Sequence, residues 1–272
     1  MSKTKVDILT LIAVSAFSFM FATAIHEHVG HSLACISVNG RLSEMGAFYA
    51  DCAADSVSDL GGRFVALAGP LVSLAAGMFF LRLFGKMFSK AGAVLKFFLW
   101  HQATVNLMIA AGYLLFSGVA GIGDLGTVSG GVFYQAEPEW LYRAALTVFG
   151  LAGYYAVIRI SIQKMDAFIG GEGVERVNRA QMTSLIAYFS GGAVALLIGL
   201  LNPHGIFIVL AASVASSMGG TSGMAWMMQL LDRKKNTGDA PFTLQRNWGW
   251  ILGSGAFLLI YAAVFGPTIF LK

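Results

Sequence analysis

The sequence predicts an all-α fold, a polytopic membrane helix bundle of about seven transmembrane helices with a cytosolic N-terminus and a C-terminus outside. Three observations predict it. Of the 272 residues, 57% are hydrophobic and only 12% charged, about half the roughly 25% charged share of soluble domains. The chain contains long charge-free runs, 8–25, 64–81, 97–123, 180–231 and 247–271, and about 20 apolar residues suffice to cross a bilayer as a helix. Its Lys and Arg residues fall on alternate connections. Together these exclude a disordered chain, a disulfide-stapled mini-protein and an ordinary soluble globule.

In chain order the spans are predicted at about 7–35, 62–83, 93–118, 139–162, 182–201, 205–231 and 248–271. The first begins after Lys3 and Lys5, but it is too long for a signal peptide and holds the most polar cluster in the chain, so it reads as a retained helix. The fourth carries Arg143 near one end, where a long side chain snorkels. Asn202-Pro203-His204-Gly205 breaks the longest run into two spans by a tight turn. Trp140 and Trp248 sit near span ends, as interfacial belts require. With the N-terminus inside, Lys3, Lys5, Arg82, Lys86, Lys90, Lys96, Arg159, Lys164, Arg176, Arg179, Arg233, Lys234, Lys235 and Arg246 are cytosolic, which makes 14. Arg41, Arg63, Arg143 and Lys272, 4 residues, are outside. The positive-inside rule favours this orientation. The net charge of +4 is thus a topology signal, with no concentrated basic surface for nucleic acid. Cys35 and Cys52 both fall outside, where an oxidising compartment would allow a disulfide; two free or buried thiols are the alternative.

The end of the first span reads Ile25-His26-Glu27-His28-Val29-Gly30-His31-Ser32-Leu33-Ala34. Ionisable groups at a membrane edge are costly and by default functional. The bland reading is a polar helix end meeting headgroups, which one histidine would satisfy; three and an acid exceed it. The chemical reading is zinc. Imidazole is a strong ligand, a catalytic site uses three protein ligands, and the metal lowers the pKa of water to about 7. A carboxylate beside the first ligand serves as base. The familiar pattern is His-Glu-x-x-His, with ligands four apart. Here Gly30 stands in the second ligand's place and the histidine is His31. On an ideal helix His26 and His31 lie about 140° apart. A π-bulge absorbs one residue and restores the shared face, and Gly30 loosens the backbone. A straight helix would instead pair Glu27 with His31 or His28 with His31. The favoured set is His26 and His31 as ligands with Glu27 as base.

This segment resembles the His-Glu-x-Gly-His-Ala-Leu motif of the site-2 protease family of intramembrane zinc metalloproteases, with one residue inserted. Two further segments are similar to that family. Ala66-Leu67-Ala68-Gly69-Pro70-Leu71-Val72-Ser73 resembles Ala-Gly-Pro-Leu-x-Asn, with Ser73 at the Asn position. Gly121-Ile122-Gly123-Asp124-Leu125-Gly126 resembles the Leu-Asp-Gly motif, whose Asp is the third zinc ligand, although the usual upstream Asn and Pro are missing. The resemblance covers roughly 7–130. It implies a catalytic core of helices 1–3 (1–130) and leaves 131–272, helices 4–7 of the same membrane domain, unassigned. It implies an intramembrane zinc metalloprotease that hydrolyses membrane-embedded or membrane-proximal peptides. The ligands would be His26, His31 and Asp124, the catalytic base Glu27 and the cofactor Zn2+. The topology alone places His26–His31 and Asp124 near the same outer, non-cytosolic surface, since the first and third spans run parallel.

Other candidates are weaker. His28 is an alternative ligand or supporting group, as is His204 in the turn between the fifth and sixth spans. Asp51, Asp55 and Asp59 read as solvated, with replacement of Asp124 by one of them as the alternative. His101 reads as a buried polar group, and Gln102 and Asn106 as interhelical hydrogen-bonders. The small-residue run Ser213–Gly223 reads as close helix packing, or else a kink or lined cavity. The competing functional readings are a non-catalytic, metal-binding chaperone or regulator on the same scaffold, and a metal or proton transporter.

Overall fold

The computed structural model describes residues 6–206, 214, 217–235 and 239–271. It is mostly helical, and six of its helices are long and apolar enough to cross a membrane. The first span is composite. Helix α1 (Ile8–Ala24) runs into a π-helical segment (Ile25–Ser32) and then α2 (Leu33–Ser37). The others are α3 (Asp59–Met87), α4 (Ala93–Ala120), α5 (Glu139–Ile169), α6 (Gly173–Gly199) and α7 (Trp248–Phe265). Side-chain caps start several of them. Asp7 accepts from the Thr10 N–H, Ser58 from Gly61 and Asn247 from Trp250, each satisfying a donor that a helix start leaves open. Helix α4 ends at Gly121 in the left-handed conformation (φ 75°), as expected for a C-terminal glycine.

Helix α1 packs against α4, α6 and α7, while α3 packs against α4 and the π segment, and α5 against α4. Gln102 Nε2 bonds across helices, donating to the Ser18 carbonyl at 3.0 Å, whereas Asn106, expected to do the same, donates from Nδ2 to the Gln102 carbonyl of its own helix at 2.9 Å. His101 is fully buried against the Phe97 and Trp100 rings, and neither ring nitrogen has a hydrogen-bond partner among the described residues.

The two ends of the bundle are distinct. At one, Val6 bridges Leu244 and Asp7 pairs with Arg246. At the other, a three-stranded antiparallel sheet forms, in the order β2-β1-β3. Strand β1 (Leu42–Met45) and β2 (Ala50–Cys52) make a hairpin, and β3 (Ile269–Phe270) joins β1 from the far end of the chain. The beginning and end of the described chain therefore lie at opposite ends. His204 contacts Glu44 of the sheet while Leu244 lies beside Val6, so the chain crosses the bundle between α6 and α7.

Several expectations need correction. The helical bundle also carries a small sheet, whose hairpin lies in the connection that holds Asp51, Asp55 and Asp59. The last span ends at Phe265 and not 271, because β3 follows it. Helices α5 and α6 extend well past the expected 162 and 182. Hydropathy measures the apolar stretch, whereas these helices continue beyond it. Their charges are paired across the connection, where Asp166 meets Arg176 and Lys235. The expected sixth span, 205–231, and the run 213–223 fall partly outside the described residues. Of its described residues, 217–219 are π-helical and Ser222–Ala225 and Met227–Leu230 form 3-10 turns.

Cys35 and Cys52 form a disulfide, Cα–Cα 5.8 Å, that fastens α2 to β2. It closes a sequence separation of 17 residues, for which chain-entropy arithmetic gives about 3 kcal/mol. The double substitution Cys35→Ser and Cys52→Ser should lower stability by about that amount, and thermal unfolding in detergent measures it.

Candidate metal centre

His26 and His31 both lie in the π segment. Its i→i+5 bonding brings residues five apart onto one face, and the Ser32 hydroxyl reinforces the pattern by donating to the Glu27 carbonyl at 3.2 Å. The two Nε2 atoms are 3.3 Å apart. Asp124, in the connection that leaves α4, brings its Oδ2 to 3.0 Å from His26 Nε2 and 3.3 Å from His31 Nε2. Among the described residues these three form the group able to hold a metal ion.

Helix α3 supports both rings. His31 Nδ1 lies 2.8 Å from the Val65 carbonyl and His26 Nδ1 2.9 Å from Ser73 Oγ. Val65, Gly69 and Ser73 are spaced by four residues and so share one helix face. Gly69, between the other two, faces the imidazoles. A Cβ there would lie 2.7 Å from His26 Nε2 and press harder still on His31 Nε2. Gly30 makes the same approach from the other side: its Cβ would lie 2.7 Å from Gly69 Cα. Two glycines thus let the π segment and α3 meet backbone to backbone and leave room beside the ring nitrogens. Pro70, next to Gly69, cannot donate to the Ala66 carbonyl and loosens the helix at this contact.

The hydrogen bonds set the chemistry of the cluster. A carbonyl only accepts, so His31 Nδ1 carries a proton toward Val65, and a neutral His31 turns a bare Nε2 lone pair inward. Burial would raise the Asp124 carboxyl, but when His31 and His26 are protonated their charge and hydrogen bonds outweigh it and hold it below the usual carboxylate range. Ser73 can accept from His26 Nδ1, which exposes a second bare nitrogen. Three acceptors within 3.0–3.3 Å repel one another unless a cation, metal or proton, lies among them.

Glu27 is buried (5% exposed). It lines a cleft of about 540 Å³ together with His31, Asp124, Tyr113 and residues 48–52 of the hairpin. The Tyr113 ring stacks on His26 with centroids 4.6 Å apart. His28 points elsewhere: its ring stacks on Phe265 at 4.2 Å, with Nε2 3.4 Å from Tyr261 Oη. His204 is held by Glu44 at 2.7 Å and does not join the cluster. Asp55 pairs with Arg41 and Asp59 with Arg63, while Asp51 accepts from Ser43. None reaches the imidazoles, although Asp51 and Asp59 line the cleft. The sequence reading did not assign roles to Val65, Gly69 or Tyr113. The four-residue spacing of Val65, Gly69 and Ser73 was a usable signal, whereas Tyr113 offered none.

Comparison with protein-family models, characterised proteins and solved structures finds no match. Gly69→Ala should push both rings off their common point and abolish binding of a divalent ion, while Gly85→Ala, where a Cβ meets open space, should leave binding intact; isothermal titration of both variants checks this.

Proposed function

We propose that this chain is a membrane-embedded zinc-dependent hydrolase that cleaves peptide bonds of membrane-embedded or membrane-proximal substrates. The observation that carries the proposal is the convergence of three acceptor atoms from His26, His31 and Asp124 beside a buried carboxylate, Glu27, at the wall of one cleft. Two imidazoles and one carboxylate are a known catalytic zinc donor set. Tetrahedral bonds of 2.0–2.2 Å imply donor separations of about 3.4 Å, and the observed triangle is a few tenths of an ångström smaller. The outward ring nitrogens are held by Val65 and Ser73, as metal-ligating histidines require.

A zinc ion in this site would supply Lewis acidity, polarising a carbonyl and making water acidic enough to attack near neutral pH. The chain's own groups do the rest. Glu27 takes a proton from the attacking water and delivers it to the departing amine nitrogen. The Val65 carbonyl keeps His31 in the tautomer that presents Nε2, and Ser73, by accepting from Nδ1, allows the same of His26. The cleft, lined by polar and apolar groups alike, receives a stretch of unwound chain, because a helical substrate hides its carbonyls in its own hydrogen bonds. The Lys and Arg distribution favours a non-cytosolic face for this end of the bundle, and a disulfide at the same end suits an oxidising compartment. Water reaches the cleft there, as hydrolysis needs.

Glu27→Gln should retain one zinc per chain and lose cleavage of a membrane-tethered peptide reporter by at least 10²–10⁴-fold. His26→Ala should lose the zinc itself. Elemental analysis alongside the cleavage assay checks both. Wild-type turnover by Glu27→Gln would remove the assigned base, and a purified wild-type protein that takes up no zinc would remove the hydrolase reading.

A further inference from the structure

The weakest support in the cluster belongs to Asp124. The histidines sit on a helix, but Asp124 lies in the 121–138 connection, which has no long helix or strand. Five of its residues are glycine, 121, 123, 126, 130 and 131, and three of these have positive φ. Such a segment has much backbone freedom to lose. Its internal bonds fold it on itself: the Val132 N–H donates to the Asp124 carbonyl at 2.8 Å and Phe133 N–H to Gly126 at 3.1 Å. Those bonds fix its shape and not its place relative to the histidines.

Arg63 supplies the place. It lies near the start of α3, on the helix that also carries Val65, Gly69 and Ser73. Its Nη1 donates to the Val132 carbonyl at 2.7 Å and its Nη2 to the Tyr134 carbonyl at 2.9 Å. Asp59 steadies the guanidinium by accepting from Nε at 3.0 Å. Val132 thus accepts from Arg63 through its carbonyl and holds Asp124 through its N–H. We propose that Arg63 is a positioning residue of the metal centre, a strut that refers the Asp124 loop to the helix face that already aligns both histidines. This inference rests on the metal-centre reading above. Arginine suits the task because a planar fork spans two carbonyls at once, which a single ammonium does not. Arg143 braces the other flank of the loop. It donates to the Gly118 and Val119 carbonyls and pairs with Glu139, and it touches nothing bonded to the Asp124 peptide.

The test uses the full chain in lipid nanodiscs, with zinc alone as the probe. Arg63→Gln should weaken zinc binding 10–100-fold, the usual effect of losing an outer support, and should speed hydrogen exchange of the Val132 amide in metal-free protein. Arg63→Lys should recover part of the affinity. Arg143→Gln should lower thermal stability without a comparable loss of affinity. The assignment fails if Arg63→Gln holds zinc like the wild type, if its Val132 amide exchanges no faster, or if Arg143→Gln loses as much affinity. A wild-type chain that binds no zinc, or a His26→Ala variant that binds it equally well, overturns the metal-centre reading instead. The exchange measurement then still decides whether Arg63 holds the loop.

Discussion

Two imidazoles five residues apart can face one point only where the helix between them is underwound. Everything at the candidate centre depends on the π segment Ile25–Ser32 keeping that geometry. Such segments are uncommon because they hydrogen-bond less favourably than an α-helix, so something outside the segment must hold it. That support is α3. Gly30 and Gly69 bring the two backbones together, and Val65 and Ser73 anchor the rings. A return to regular α-helix would turn His31 away from His26 and take its Nδ1–H away from the Val65 carbonyl. In a bilayer, where few other acceptors are at hand, an unmet donor is expensive. The local strain and the support thus stabilise one arrangement between them.

The same helix explains why the three acceptors converge. His26 and His31 come from the first span and Asp124 from the far end of α4. Separate elements seldom align to a fraction of an ångström unless they share a reference. Helix α3 touches all three: directly at the two rings, and through Arg63 and Val132 at the aspartate loop.

Much of this was legible in the sequence, and the reasons differ by element. Five of the six membrane-length helices announce themselves by charge-free length, since the bilayer demands apolar residues, and α5 is an apolar stretch interrupted by Arg143 and Arg159. The five-residue histidine spacing announces the need for a bulge, because helix geometry leaves no other way to join those two rings. The sheet was not legible. Strand β1 is Leu42-Ser43-Glu44-Met45 and β2 is Ala50-Asp51-Cys52; both are too short to show a period of two, and β3 comes from over 200 residues away. The extensions of α5 and α6 were hidden for another reason. Lys164, Asp166, Arg176 and Arg179 look like the ends of spans, yet Asp166 and Arg176 pair where the two helices leave the apolar layer. The role of Arg63 was equally hidden, because its partners are backbone carbonyls, which no sequence pattern marks.

The sheet also gives the second half of the chain a task that helix counting leaves open. Hairpin residues 48–52 form one wall of the cleft that Glu27 lines. That wall does not stand on its own, since a two-stranded hairpin is marginal in isolation. On one side the disulfide ties it to α2. On the other, the holding groups all come from beyond residue 200. Strand β3 pairs with β1, Thr268 bonds Tyr49 at 2.7 Å, Tyr261 donates to the Ala47 carbonyl at 2.8 Å, and His204 meets Glu44. Helix α7, packed on α1 along one face and exposed along the rest, leads into the strand that completes the sheet. Among the described residues the later spans therefore supply none of the three acceptors, and yet they determine where the wall opposite them stands. A core of the first three spans alone would keep the three acceptors together and lose the groups that hold the hairpin over them.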